Sequence, residues 1–375
     1  MRISRIHIYR TLAVALTSCL AWQLFAGFDI SDIDKGYDSF RFVYHALGNC
    51  EGAYAAACED KHVILLSMLG NSPFLFSFQY FVAACLSIYL ITDRLVVRLF
   101  LPATPVIVYF LGQPGKDVFS MLGSLALFSF LASLHTDHFH SSRHTLSLSL
   151  TIKRLSCCSL IFLSIYLRPQ SLIWHIIFCM LYFAAFFITR KRAYFFILSA
   201  LAAALSISFA FLALRTLSSN AIFEATDFFG SEFAQSDFTG PLVGFTFSSY
   251  ILRVAFNPVY ILVYPIAVLF RHVQGYQYLL GFCLLAQAAS IYWICRRIDA
   301  KNKLYLFAYN LLILSVIISV YPFPNIRYFI VFLPSLVCLF YFTSLRQGSL
   351  NSFPNQLRNT GHVPLRGVNH EARLP

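Results

Sequence analysis

The chain has 375 residues, of which 58% are hydrophobic, 17% aromatic and 12% charged, with 28 Lys and Arg against 16 Asp and Glu for a net charge of +12. A soluble domain carries about 25% charged residues, so roughly half the usual charge is missing, and the excess lies in 40 Phe and 21 Tyr. These proportions exclude a disordered chain, a coiled coil and a disulfide scaffold; the charges fall in short clusters between long apolar runs, as they do when the solvent is a bilayer.

In chain order, Arg2, Arg5 and Arg10 precede an apolar run from Thr11 to Gly27. No small-residue cleavage site stands out after it, so it reads as an uncleaved first span with its arginines held in the cytoplasm. Further candidate spans are Phe74 to Thr92, Leu99 to Gly112, Val118 to Leu134, Leu155 to Leu167, Ser171 to Ile188 and Tyr194 to Leu214. Phe256 to Phe270, Tyr278 to Cys295, Leu304 to Val320 and Phe329 to Leu345 complete the set. Several are shorter than the roughly 20 residues of a full crossing, so charge parity is the better guide. Arg94 and Arg98 before, and Arg143, Lys153 and Arg154 after, make Gln113 to Asp117 an exterior hairpin tip. The cluster Arg190, Lys191 and Arg192 does the same for Arg168, Pro169 and Gln170, and Lys303 with Arg346 does it for Tyr321 to Tyr328.

The expectation is an all-α, polytopic membrane protein with both termini cytoplasmic and two long exterior loops, residues 28–62 and 215–253. One segment leaves the count open. An odd number of crossings must separate Leu214 from the basic cluster at Arg296, yet two apolar runs are visible. Either Phe256 to Phe270, with Pro258 and Pro265, is re-entrant or interfacial, giving ten transmembrane helices, or a third crossing lies in Gly240 to Leu252, giving twelve; ten is preferred. Residues 1–347 then form the membrane domain, and residues 348–375, without apolar periodicity, a disordered cytoplasmic tail. Basic residues gather on the cytoplasmic segments and acids on the exterior ones. The net positive charge is thereby accounted for by the insertion rule and anionic lipid, with no nucleic acid among the partners.

Eight of the ten cysteines sit in or beside apolar spans and read as small hydrophobes. Cys50 and Cys58 share the first exterior loop, where an oxidising exterior allows a disulfide between them. No paired metal-ligand spacing appears, and neither a metal nor a cofactor is expected. Phosphate-loop, dinucleotide, zinc-protease and nucleophile-elbow signatures are absent.

Ionisable residues at a membrane boundary are expensive unless they face water, a partner or a substrate. Lys116, Asp117, Arg168 and Arg327 are therefore site candidates; snorkelling of the cations and capping of a helix by Asp117 is the alternative. In the first exterior loop, Asp34 to Tyr44 alternates charges with rings, and a helix there would align Asp38, Arg41 and His45. Rings beside carboxylates suit a sugar; an interfacial helix would look similar.

An acidic, tyrosine-bearing first exterior loop (Gly36-Tyr37-Asp38-Ser39-Phe40-Arg41), a Gly115-Lys116-Asp117 tip, an Arg168-Pro169 tip and a late Pro324-Asn325-Ile326-Arg327-Tyr328 resemble the Wzy-type and EpsG-like polysaccharide polymerases. The similarity covers the arrangement of nearly the whole chain through short motifs. The C-type, lipid-sugar-dependent glycosyltransferases are the nearest alternative, although their usual soluble domain is missing; a lipid-linked glycan flippase or a membrane scaffold is the other. The resemblance implies a bacterial inner-membrane enzyme with its active site facing the periplasm. It would polymerise O-antigen, capsule or exopolysaccharide repeat units by transfer from an undecaprenyl pyrophosphate carrier, with a chain-length regulator and a flippase as partners. On that reading Arg168 and Arg327, assisted by Lys116 with Arg41 in reserve, stabilise the leaving pyrophosphate, and Tyr37 and Tyr328 contact substrate. Asp38, followed by Asp117 and His45, takes the proton of the attacking hydroxyl.

Overall fold

In a computed structural model of the protein, residues 61–69, 104–111, 116–139, 148–187, 192–218, 240–242, 244–270, 275–297, 301–321 and 326–359 are described. They are all-helical, with no strand among them. The helices are α1 (Lys61–Leu69), α2 (Thr104–Leu111), α3 (Lys116–Phe139), α4 (Leu148–Leu167), α5 (Ser171–Phe187), α6 (Arg192–Ser218), α7 (Phe247–Phe270), α8 (Gly275–Arg297), α9 (Lys301–Ile318) and α10 (Ile326–Asn359), with a 3₁₀ turn at Gly240–Leu242.

The centre of the bundle is α3, flanked by α4, α5, α2 and α10. Its apolar residues run all the way round, and Val118, Met121, Leu122, Leu125 and Phe128 are all buried. Phe128 meets Tyr182 of α5 and Phe342 of α10 edge-on, at centroid distances of 6.2 and 6.0 Å. Tyr182 and Phe342 stack on each other at 5.9 Å, which closes an aromatic layer across three helices.

The packing of α3 on α4 depends on Gly123. A β-carbon at this position would meet Ser164 Oγ at 2.6 Å and the Leu160 carbonyl oxygen at 3.3 Å, so the close approach of the two backbones requires glycine.

Among the described residues two segments, Lys116–Leu134 and Arg192–Thr216, are long and apolar enough to cross a membrane, and they sit in opposite surroundings. The first is 83% buried inside the bundle and the second only 22%, leaving Phe196, Ile197, Leu201, Ile207, Phe211 and Leu212 on the outside. Shorter apolar helices are Ser171–Phe187, Leu280–Arg296, Leu304–Ile318 and Tyr328–Ser344.

Helix α7 is two-faced in the reverse of the soluble sense. Ser249, Tyr250, Arg253 and Asn257 point inward, whereas Ile251, Leu252, Val259, Val263 and Ile266 are exposed. It starts nine residues before the apolar run that marked it in the sequence, because Thr246 caps it: the Ser249 amide donates to Thr246 Oγ1 at 3.2 Å. Residues 247–253 are therefore helical. The first three turns of α7 are bonded to the end of α9. The Tyr250 hydroxyl donates to the Val316 carbonyl at 3.1 Å, and Asn257, two turns on and about 10 Å further along its own axis, donates from Nδ2 to Ser319 Oγ at 2.9 Å. These bonds, with that from Ser315 Oγ to the Val254 carbonyl, join residues 250–257 of α7 to residues 315–319 at the end of α9.

The last helix is long. Helix α10 continues to Asn359, taking in residues 348–359 that read as disordered. Leu350, Phe353 and Leu357 recur at helical spacing there, a stripe masked in the sequence by Gly348, Pro354 and the asparagines.

Gly123→Ala should lower stability by about 1–3 kcal/mol, the usual cost of overpacking, measured as a drop in Tm of the detergent-solubilised protein. Ser164→Gly in the same chain should restore part of the loss.

Candidate functional site

Three helix ends meet at one pole of the bundle. The first is the start of α3, where Lys116 and Asp117 occupy the opening turn. The second is the three-residue turn from α4 to α5. Here the Arg168 amide donates to the Ser164 carbonyl at 2.9 Å, the Ser171 amide donates to the Arg168 carbonyl at 2.8 Å and the Leu172 amide to the Pro169 carbonyl at 3.1 Å. Pro169, with no amide hydrogen to offer and a fixed φ, suits this turn. The third is the α9–α10 connection, where the Tyr321 amide closes a turn on the Ile318 carbonyl at 3.2 Å and Tyr328 stands in the first turn of α10.

Their side chains form one cluster. Arg168 Nη2 lies 2.7 Å from Asp117 Oδ1, with the Arg168 side chain 17% and that of Asp117 3% exposed. The guanidinium carbon sits 4.4 Å from the centroid of the Tyr328 ring, and Tyr328 packs against Tyr321 at 4.8 Å. Asp117 near the N-terminus of α3 also complements the helix dipole there. Burial, then Tyr328 beside it, pushes the Tyr321 phenol well above its ordinary range, with Arg168 pulling the other way, so it is a neutral hydrogen-bonding group that shares a bond with Tyr328. The arrangement holds a fixed cation, a carboxylate and two phenols at the edge of an apolar body, the equipment for gripping an anionic group and taking up a proton.

Of the residues singled out in the sequence, Asp117, Arg168 and Tyr328 are brought into direct contact, and Lys116 is half-buried beside Asp117. Arg327 immediately precedes Tyr328 in α10, and its side chain lies outside the described residues. Tyr37, Asp38, Arg41, His45, Cys50 and Cys58 also lie outside them.

Sequence reasoning passed over Arg253, which is fully buried at the same pole. Its Nε donates to the Ser319 carbonyl at 3.1 Å and its Nη1 to the carbonyls of Leu242 and Gly244, both at 2.7 Å. Gly244 has φ of +106°, a conformation that only glycine adopts without strain, and this turns its carbonyl toward the guanidinium. Arg253 thus ties the loop before α7 to Ser319, just past the end of α9 and two residues before Tyr321. Ser315 Oγ adds a bond to the Val254 carbonyl at 2.7 Å. The available signal was the spacing of Tyr250, Arg253 and Asn257, a polar stripe at helical period inside an apolar stretch. Among the described residues, no group of three or more His, Cys, Asp or Glu is gathered as a metal would need.

No family model matches the chain, and neither a curated protein nor a solved structure is significantly similar to it.

Arg253→Lys retains the charge but removes the planar fork that serves three carbonyls at once. It should destabilise the protein by about 1.5–3 kcal/mol, the range for a lost hydrogen bond to a charged group, with a lower Tm as the readout.

Proposed function

We propose that the protein is a multi-spanning membrane enzyme that polymerises lipid-linked oligosaccharide repeat units at the periplasmic face of a bacterial inner membrane. The observation that carries the reading is the meeting of three hairpin ends around Arg168, Asp117 and Tyr328 at one pole. Each of these ends is an exterior tip under charge parity.

The membrane part of the proposal rests on inverted polarity. Large apolar side chains such as Phe162 at 70%, Phe211 at 72% and Phe282 at 69% exposure cover the outside, while Arg253, Asn257, Gln287 and Asn310 are buried. Water would penalise a surface on which large apolar side chains are exposed together. Lipid does not. Ten spans are kept on charge parity, with α7 taken as the re-entrant or interfacial piece that Pro258 and Pro265 permit. The remaining odd crossing between residues 214 and 296 is α8.

In the reaction, the oxygen of an acceptor sugar hydroxyl attacks the anomeric carbon of the growing glycan, and the bond from that carbon to the carrier's diphosphate breaks with its electron pair on the phosphate oxygen. Arg168 exchanges its carboxylate partner for the diphosphate, which it grips with a bidentate fork while the face of Tyr328 supports it from below. Asp117, released from the pair, is the acceptor for the hydroxyl proton. Lys116 and Arg327 add positive charge at the same tips, and Asp38, Arg41, Tyr37 and His45 belong to the loop that would cover the sugar.

Arg168→Ala should reduce polymer by about 10²-fold or more, the usual effect of losing a group that stabilises a developing anion, with protein abundance in the membrane unchanged. Arg168→Lys should restore little, because an ammonium cannot supply the fork. Cells lacking the protein should carry single repeat units on the lipid core; absence of any external unit would point to a translocase, and a ladder shifted by one sugar to a single-residue transferase. A full-length glycan ladder from Arg168→Ala cells would sink the assignment.

A further inference from the structure

The end of the bundle away from Arg168 carries a different kind of surface. The Tyr309 hydroxyl donates to the Ser199 carbonyl at 2.6 Å, so α9 and α6 meet about two turns past their starts. At their other ends Ala210, with Ala213 and Leu214 beside it, shares a buried cluster with Val320. The two helices therefore run the same way. Counted back from the first contact, Tyr305 and Tyr194 stand about 6 and 7.5 Å nearer the starts, at one level. Phe187, the last residue of α5, packs on Tyr194 at 5.5 Å, and residues 298–300 alone separate the end of α8 from the start of α9.

That end of the bundle thus gathers Arg192 and Tyr194 of α6, Tyr292, Trp293 and Arg296 of α8, and Tyr305 of α9. All six are exposed, the four rings at 43–78%. A ring that is apolar in its body and polar at its tip is best satisfied where hydrocarbon gives way to headgroups. The charge there has one sign. Residues 190–192 and 296–303 together hold seven Lys or Arg and a single Asp, a surface complementary to phosphate.

Helix α6 supplies a ruler. Its exposed Arg192 and Arg215 are separated by residues 193–214, none of them charged, over an axial distance of about 34 Å. A bilayer's hydrocarbon core is about 30 Å thick. Between the two arginines Phe196, Leu201, Ile207 and Phe211 are exposed. Leu214 packs beside Val320, the residue before Tyr321, so the Arg215 end of the ruler is also the end that carries the Arg168 cluster.

We propose that the end opposite Arg168 is a collar for anionic phospholipid, with Arg192 and Arg296 holding headgroup phosphates and Tyr194, Tyr292, Trp293 and Tyr305 anchored at the base of the headgroups. This rests on the membrane placement in the proposed function and not on its glycosyl-transfer chemistry. The collar fixes the depth of the bundle. The Arg168 cluster, one hydrocarbon thickness away, then stands at the headgroup plane of the other leaflet, where a lipid carries its diphosphate.

The test uses the full chain in lipid nanodiscs. The emission lost in Trp293→Phe isolates that ring, and its quenching is compared for phosphatidylcholine brominated near the headgroup end or near the methyl end of the acyl chain. The shallow bromine should quench Trp293 at least twofold more than the deep one. A stronger effect of the deep bromine overturns the proposal. So does a ring that neither lipid quenches, whether aqueous iodide reaches it or a protein surface, such as a second copy, shields it. Replacing a third of the phosphatidylcholine with phosphatidylglycerol should raise Tm by about 2 °C or more, and the double variant Arg192→Gln, Arg296→Gln should lose at least half of that rise. No rise in the wild type, or an equal rise in both, overturns the headgroup contact. Protein that alkaline carbonate strips from cell membranes rejects the membrane placement itself, whereas protein that resists carbonate but fails the quenching test rejects the collar alone.

Discussion

The pole of the molecule is organised by one ion pair. A guanidinium and a carboxylate at the edge of an apolar body are each costly alone, and their attraction offsets the loss of water only when geometry is close and further contacts complete the shell. Arg168 meets those conditions with Asp117 at 2.7 Å and the Tyr328 ring at 4.4 Å. Each partner comes from a different hairpin, so the pair can form only when α3, the α4–α5 turn and α10 are docked. Removing one member leaves the other as an uncompensated charge, which is why breaking such a pair costs more than the pair itself contributes.

Beneath this pole the core is apolar, but two helices depart from the usual distribution of polarity on their outer faces. Helix α7 turns Arg253 and Asn257 inward and Ile251, Val259 and Ile266 outward, and α6 is apolar on nearly every side. In the proposed lipid surroundings little apolar driving force would act between helices, and association would depend on close packing and on polar contacts inside. Gly123 against Ser164 is an instance of the first. Arg253 on three carbonyls, Tyr309 donating to the Ser199 carbonyl at 2.6 Å and Ser315 donating to the Val254 carbonyl are instances of the second. Arg253 has a structural logic of its own: carbonyls at the end of α9 and before α7 would otherwise be buried without donors, and one planar fork satisfies three of them.

Hydropathy made the helices legible, and charge parity grouped the Lys116–Asp117, Arg168 and Tyr328 tips as candidates for one surface. Both signals are local sums along the chain, and they survive folding because a long apolar run has few alternatives to a buried or lipid-facing helix. What escaped was of two kinds. The start of α7 was hidden because a serine- and threonine-rich lead-in looks like loop until Thr246 is recognised as a cap. His175 was hidden because a single imidazole in the run Ser171 to Phe187 gives no sign of the direction it faces, and only the packing of the helices shows it to be buried. The first kind of information is in the sequence and was read at the wrong period. The second exists only between helices.

The same low dielectric that makes the Arg168–Asp117 pair tight also makes it two-state. A guanidinium does not leave a carboxylate for water at an apolar boundary, because the carboxylate left behind would be stranded. It leaves when a second anion arrives to take it, and at that moment the carboxylate needs a proton. In the proposed reaction both events have one cause, the arrival of a diphosphate-linked sugar. Asp117 is therefore silent as a base until the cation has moved onto the leaving group. Such coupling also selects Arg over Lys at residue 168. The flat guanidinium can keep its face on Tyr328 throughout while its edge changes partners, so the exchange requires only a small swing of the side chain.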